Sequence, residues 1–266
     1  MRYTTLLFLV LGLVFGTNAR SADAPVRIAP KTQVHQSPAT AQALFELFQS
    51  EADPELPWGH VALRRVDGQP NWVPIAWHVQ WRRTIGWPDG YAKTESDSRQ
   101  NSLIGSGAAV ARFTPQVFIN GKEWRGLLQG DAAPLPQLDE VGVLRAEIYP
   151  SGVIIVEHEP GPGFRHQGIE LVANLALLAH PEKRQVPSGP AAGISYFASH
   201  SAIKHERARF DPRLKRWRFK LDNDLLWPEG DPEPRLVVWI EPALNPRPIQ
   251  SLILTVEPKP PPPPPE

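Results

Sequence analysis

Two carboxylates and one imidazole are the first candidates for chemistry here: Asp53 and Glu55, flanking Pro54, and His78 in a tryptophan-rich run downstream. Paired carboxylates with a histidine can do general acid/base work if they converge to hydrogen-bond range. The same residues have a plainer reading. Asp53 can cap a helix, Pro54 suits the first helical position, and Glu55 complements the positive end of the dipole. His78, on a strand, reads as a hydrogen-bonded structural histidine. A hydrolase or lyase using Asp53, Glu55 and His78 is therefore the alternative expectation. His158 with His166, and His200 with His205 and Glu206, are the other candidates for zinc. Neither set has a helical H-x-x-x-H spacing or a companion motif, so no metal and no cofactor is expected. The chain has no cysteine, which removes thiolate nucleophiles, thiol redox chemistry and cysteine-ligated metals. No Gly-rich phosphate loop, G-x-S-x-G elbow or H-E-x-x-H occurs.

These residues must be positioned by an alternating α/β region. Val73, Ile75, Trp77 and Val79 alternate with Pro74, Ala76, His78 and Gln80, the two-residue period of a strand. The stretch around it, which carries Trp72, Trp77, Trp81 and Trp87, is expected to be a central strand and the loop leaving it, with the rest of the N-terminal half packed around it. Ala43 to Phe48 is a short apolar run of strand length, and a short helix should follow Asp53-Pro54-Glu55 and end near Asp67-Gly68. Lys93 to Leu103 is polar and reads as a surface helix or loop. Val117 to Ile119 forms a strand turned by Asn120-Gly121, the strongest short hairpin signal, and Trp124 to Leu128 returns. Pro134 to Val141 is expected to be a short helix.

From about Val143 the pattern becomes strands and turns. Val153 to Val156 and Leu236 to Ile240 are compact apolar runs, while Ile169 to Leu177, Trp217 to Leu221 and Leu252 to Val256 alternate. Short strands separated by Gly/Pro breaks predict an antiparallel sandwich. The nine tryptophans admit a carbohydrate-binding module in this half, although core packing is the plainer use.

The ends have their own signatures. Arg2, the apolar run Leu6 to Gly16 and the small residues Thr17-Asn18-Ala19 predict a signal peptide over residues 1–19, too short to span a bilayer. The mature protein is expected to be exported, to the periplasm or beyond the cell, with no membrane span after cleavage. A linker over 20–42 and a polyproline tail over 258–266 bracket two domains, 43–141 and 142–257. Lys plus Arg and Asp plus Glu balance at 28 each, which argues against a nucleic-acid footprint.

Several motifs across the chain resemble the bacterial exported family catalogued as domain of unknown function 1223. They are Glu46 to Pro57, Ala76 to Trp81, Gly86 to Ala92, Arg99-Gln100 and Phe113 to Gly121, with a looser match over Leu236 to Leu254. The resemblance implies a thioredoxin-like fold for the N-terminal part. It also places the family's two cysteines on Asp53 and Leu56, so thiol–disulfide exchange is absent here. By the same resemblance Thr114-Pro115 is the cis-proline opposite the helix start, a backbone docking edge for an extended chain. The leading expectation is thus a non-enzymatic binding or structural protein of the cell envelope. Its partner would be an envelope polypeptide, docked on Asp53, Pro54, Glu55, Leu56, Thr114 and Pro115.

Overall fold

A computed structural model describes residues 31–228 and 233–258. The expected signal peptide lies outside these residues, as do the first part of the linker and nearly all of the polyproline tail. The described residues belong to one compact unit.

The first strand of the described residues, β1 (Gln33–Gln36), lies inside the segment expected to be a linker. It is ordered by pairing antiparallel with β6 (Gly142–Ile148), more than a hundred residues away, a partner invisible to local pattern. Next come β2 (Ala43–Gln49), α1 (Leu56–Val66), β3 (Trp72–His78) and α2 (Thr94–Gly105). The hairpin β4 (Gln116–Ile119) and β5 (Lys122–Trp124) completes a sheet of order β3-β2-β4-β5. Within it β2 and β3 are parallel, joined across α1, and the other pairs are antiparallel. Trp72–His78 is therefore the edge strand of this sheet, not its centre. That position tolerates Pro74, which has no N–H for a second neighbour.

The hairpin turns at Asn120 (φ 47°) and Gly121 (φ 71°), the positive-φ pair that an Asn-Gly turn supplies. Gly121 is also required by space: a Cβ there would lie 2.5 Å from the Pro246 carbonyl oxygen. The expected helix over 134–141 is absent, and that segment runs without regular structure. It has neither caps nor a helical apolar period.

The β-rich half contains β6, β7 (Val153–Pro160), β8 (Leu171–Leu178), β9 (Glu182–Gln185), β10 (Ser195–Ala198), β11 (Ala202–Arg209), β12 (Trp217–Lys220), a short α3 (Asn223–Leu226), β13 (Arg235–Pro242) and β14 (Gln250–Thr255). They form an outer sheet β1-β6-β7-β12, a central sheet β11-β8-β13-β14 and the small β9-β10 hairpin. The central sheet is covered on both faces. One face meets the outer sheet through Leu144, Val156, Leu175, Phe219 and Val238. The other meets the first sheet through Phe48, Ile75, Trp77, Ala176, Val237 and Trp239. Two-sided burial explains why β8 and β13 read as near-continuous apolar runs rather than alternating ones. Helix α1 closes the far side of the first sheet, placing Ala62, Leu63 and Val66 on Phe45, Leu47 and Val117.

Candidate functional site

The expected site gathers where β2 ends and α1 begins. Asp53 does not cap the helix. Glu55 is the N-cap, without a side-chain cap bond, and Pro57 occupies the first turn. Asp53 instead faces across the chain. Its carboxylate accepts a hydrogen bond from the Thr114 hydroxyl and pairs with Arg82 Nη2 at 3.1 Å. Arg82 Nε also donates to Thr114 Oγ1 at 2.9 Å, closing a three-membered set. Burial raises the Asp53 carboxyl above its ordinary value, against the opposing pull of Thr114 and Arg82. The Thr114–Pro115 peptide bond is cis. Sequence reasoning read the D-P-E cap from neighbours alone, and two distant partners, Thr114 and Arg82, outcompete it.

Leu56 is fully buried against Val186, Ala191 and Tyr196, residues of the β9–β10 hairpin and its loop. Of the six expected docking residues, Asp53, Leu56, Thr114 and Pro115 are buried and only Pro54 and Glu55 are exposed. A second buried carboxylate, absent from the sequence-derived set, fastens this hairpin in place. Glu51 accepts from Arg184, from the Tyr196 hydroxyl and, at 3.0 Å, from Trp87 Nε1. Gly86 packs so closely on the hairpin loop that a Cβ would meet Pro190 at 2.7 Å.

His78 belongs to a different set from Asp53. Its Nδ1 lies 2.7 Å from Asp89 Oδ2, and its Nε2 lies 3.1 Å from Ser201 Oγ and 2.9 Å from Gln49 Nε2. Burial alone would raise the Asp89 carboxyl. His78 and the backbone N–H groups of Glu51 and Tyr91 carry it below its ordinary value instead. A carboxylate only accepts, so His78 Nδ1 carries the proton and Nε2 accepts. The order carboxylate–imidazole–hydroxyl has the distances of a nucleophilic triad. It has no room for a substrate: His78 is 0% exposed and Ser201 1%. Gln49 further occupies the imidazole. The chain from Asp89 to Ser201 joins the first sheet to the start of β11 as an internal tie. Ser201 lies 123 residues from His78, and no local motif marks it. The expected acid/base trio does not converge, because Glu55 is exposed and Asp53 and His78 have separate partners.

The other histidines also separate. His200 Nε2 lies 3.3 Å from Asp67, whereas His205 stacks on Trp239 and bonds Asn174 at 3.1 Å. No group of three or more His, Cys, Asp or Glu among the described residues is arranged to hold a metal. Trp217 and Trp239, on the strands of the β-rich half, are buried and form no sugar-stacking platform.

What stays open near the helix start is the outer face of α1. Trp58 is 56% exposed, and Val61, which shares its groove, is exposed too. A groove of about 330 Å³ runs between Pro57, Trp58, Val61, Arg65 and Leu127. A second, of about 420 Å³, shares Arg65 and continues past Trp72 to Leu135 and Leu138.

Residues 44–133 match the model of a family described as "Protein of unknown function (DUF1223)", so the resemblance read from the motifs is shown over that segment. No curated protein matches the chain. Among solved structures, a crystal structure of an Agrobacterium tumefaciens protein aligns with a TM-score of 0.54 and 18% identity over 80% of this chain and 94% of that one. HBP35 of Porphyromonas gingivalis aligns with a TM-score of 0.52 and 12% identity over 83% and 78%. Both likenesses carry the fold alone.

Proposed function

We propose that this chain is an exported, thiol-free protein with a thioredoxin-like N-terminal half, and that it binds an apolar polypeptide segment of the cell envelope without catalysing a reaction. The observation that carries the reading is how Asp53 and Leu56, the positions matched to the family's cysteines, are used. Asp53 is tied to Arg82 and Thr114, and Leu56 is sealed under the β9–β10 hairpin. A redox centre has been replaced by internal packing. The sheet order β3-β2-β4-β5, with its parallel pair crossed by α1, supports the thioredoxin-like reading. The apolar run Leu6 to Gly16 supports export, and no helix among the described residues is long and apolar enough to cross a membrane.

With Thr114 and Pro115 buried, the docking surface moves one helical turn outward. Contiguous exposed apolar side chains mark interaction sites. Trp58 and Val61, which line the α1 groove together, supply such a patch. A photo-reactive residue at position 58, with a control at Lys215, tests this in envelope extract. A discrete adduct formed only from position 58, and competed by excess unlabelled protein but not by its Trp58→Asp variant, is expected. Labelling that matches the control, or equal competition by Trp58→Asp, overturns the proposal.

A further inference from the structure

The β-rich half holds a cavity that the proposed function does not use. It opens where β7 ends, β8 begins and the β11–β12 connection turns back. Its volume is about 450 Å³, within the ~300–1,000 Å³ of small-molecule sites. Phe164, Phe210 and Trp217 line it, with the Phe210 and Trp217 rings 4.9 Å apart and tilted by 56°. Trp217 is buried, its N–H bonded to the Leu171 carbonyl oxygen at 3.3 Å, so it backs the Phe210 ring and offers a ligand no donor.

Among the polar groups on the wall, His158 is fixed in one tautomer. Its Nε2 lies 3.1 Å from the Val141 carbonyl oxygen. A carbonyl only accepts, so Nε2 carries the proton and Nδ1 of the neutral ring is an acceptor. Burial lowers the pKa of His158, favouring that neutral ring. Among the described residues Nδ1 has no hydrogen-bond partner, and it is not among the buried unpaired atoms, so a ligand can reach it. The ring is held against Phe164 at 5.2 Å, and Phe164 against His166 at 5.8 Å. Among the described residues no lysine or arginine lines the cavity, and Glu170 does, so the wall does not favour an anion. Few polar groups line it, so the many hydroxyls of a sugar would lose water without replacement partners, at a cost for each.

We infer that this cavity binds a neutral aromatic molecule with one hydrogen-bond donor, of the phenol or indole class, its ring on Phe164 and Phe210, backed by Trp217, and its donor on His158 Nδ1. The proposal stands apart from the α1 groove and from any polypeptide partner. Titration calorimetry on the full chain with phenol, indole, anisole and cyclohexanol tests it. Saturable binding of phenol and indole is expected. Anisole, which keeps the ring and lacks the donor, should bind about tenfold more weakly, as should cyclohexanol, which keeps the donor and lacks the ring. His158→Phe should bring phenol down to the level of anisole. Ile169→Trp, at a half-exposed rim position, should block every probe while leaving the melting temperature within about a degree of the parent. Absence of saturable binding by phenol and indole, equal affinity for phenol and anisole in the parent chain, or binding untouched by Ile169→Trp overturns the assignment.

Discussion

The two faces of the central sheet are held by different means. Toward the outer sheet the contact is aliphatic and aromatic, with Leu175, Val238 and Leu252 meeting Leu144, Val156 and Phe219. Toward the first sheet, apolar packing surrounds buried polar ties. Arg99, on α2, donates to Glu46 on β2 at 2.8 and 2.9 Å and to Glu241 on β13 at 2.9 and 3.0 Å. Trp77 and Trp239 donate to the same two carboxylates. His78 meets Ser201 across the same seam, and His205 lies between Trp77 and Trp239. An apolar contact gains stability from area and is indifferent to small slides. A buried ion cluster is satisfied in one arrangement only and penalises any half-made version. The first face thus supplies adhesion, and the second fixes how the N-terminal sheet sits on the β-rich half.

The largest break in that contrast is expected at Arg99. Arg99→Met leaves Glu46 and Glu241 buried without their cation, a loss of about 3–5 kcal/mol. It would be read as a lower urea midpoint at unchanged slope. The triple change Arg99→Met, Glu46→Leu, Glu241→Leu should recover only part of that loss: it removes the unpaired charge but leaves the buried Trp77 and Trp239 N–H groups without acceptors. On the other face, Leu175→Ala should cost about 3 kcal/mol by lost burial and cavity, and no second substitution should rescue it by charge removal.

Acid should separate the faces next. His205 is depressed from 6.5 to about 3 by burial, then by the charges of Arg99 and Arg207. His200 is depressed to about 4, by burial and Arg235 against Asp67. As pH falls below 6.5 the unfolded chain takes up these protons before the folded one. The stability they allow is therefore complete above about pH 6.5 and is lost on acidification toward their folded values. Each contributes roughly 2 kcal/mol of loss by pH 5. Asp89 follows at lower pH: its depressed folded value keeps stability above its ordinary range and loses it as pH falls through the folded one. Hydrogen exchange at pH 5 against pH 7, corrected for intrinsic rates, should show β2 and β3 loosening more than β6 and β7. His205→Phe should flatten the pH dependence of stability.

The smallest effect is expected at Ser201. Ser201→Ala removes the hydroxyl from His78 Nε2, which keeps its bond from Gln49, so about 1 kcal/mol is at stake. A change well above that would give the Asp89–His78–Ser201 chain a role beyond tying the two halves.

What the sequence discloses follows the range of the forces involved. Asn120-Gly121 was legible because a positive-φ turn is decided by the two residues themselves. Strands β7, β8, β12, β13 and β14 were legible because burial imposes pattern over a few residues, and the doubly covered β8 and β13 show it as unbroken apolar runs. Asp53, Pro54 and Glu55 formed a self-consistent local cap, yet Asp53 answers to Thr114, 61 residues on. The β9–β10 hairpin hid behind Glu182-Lys183-Arg184-Gln185, whose polar letters suggest a loop. Its Arg184 and Tyr196 nevertheless hold Glu51 and close the helix start.

The central sheet also imposes a timetable. The apolar face of β2, β3 and β4 is covered by Ala176, Leu178, Val237 and Trp239, residues that leave the ribosome long after that sheet's own strands. At ~5–20 residues per second, the first sheet waits several seconds with one side bare. Gln42 N–H must likewise wait for the side-chain oxygen of Gln250, 208 positions later, at 2.9 Å. The N-terminal half is thus a client of its own unfinished C-terminus. A truncation before β13 should leave a chain that aggregates or recruits holdases, not a smaller working module.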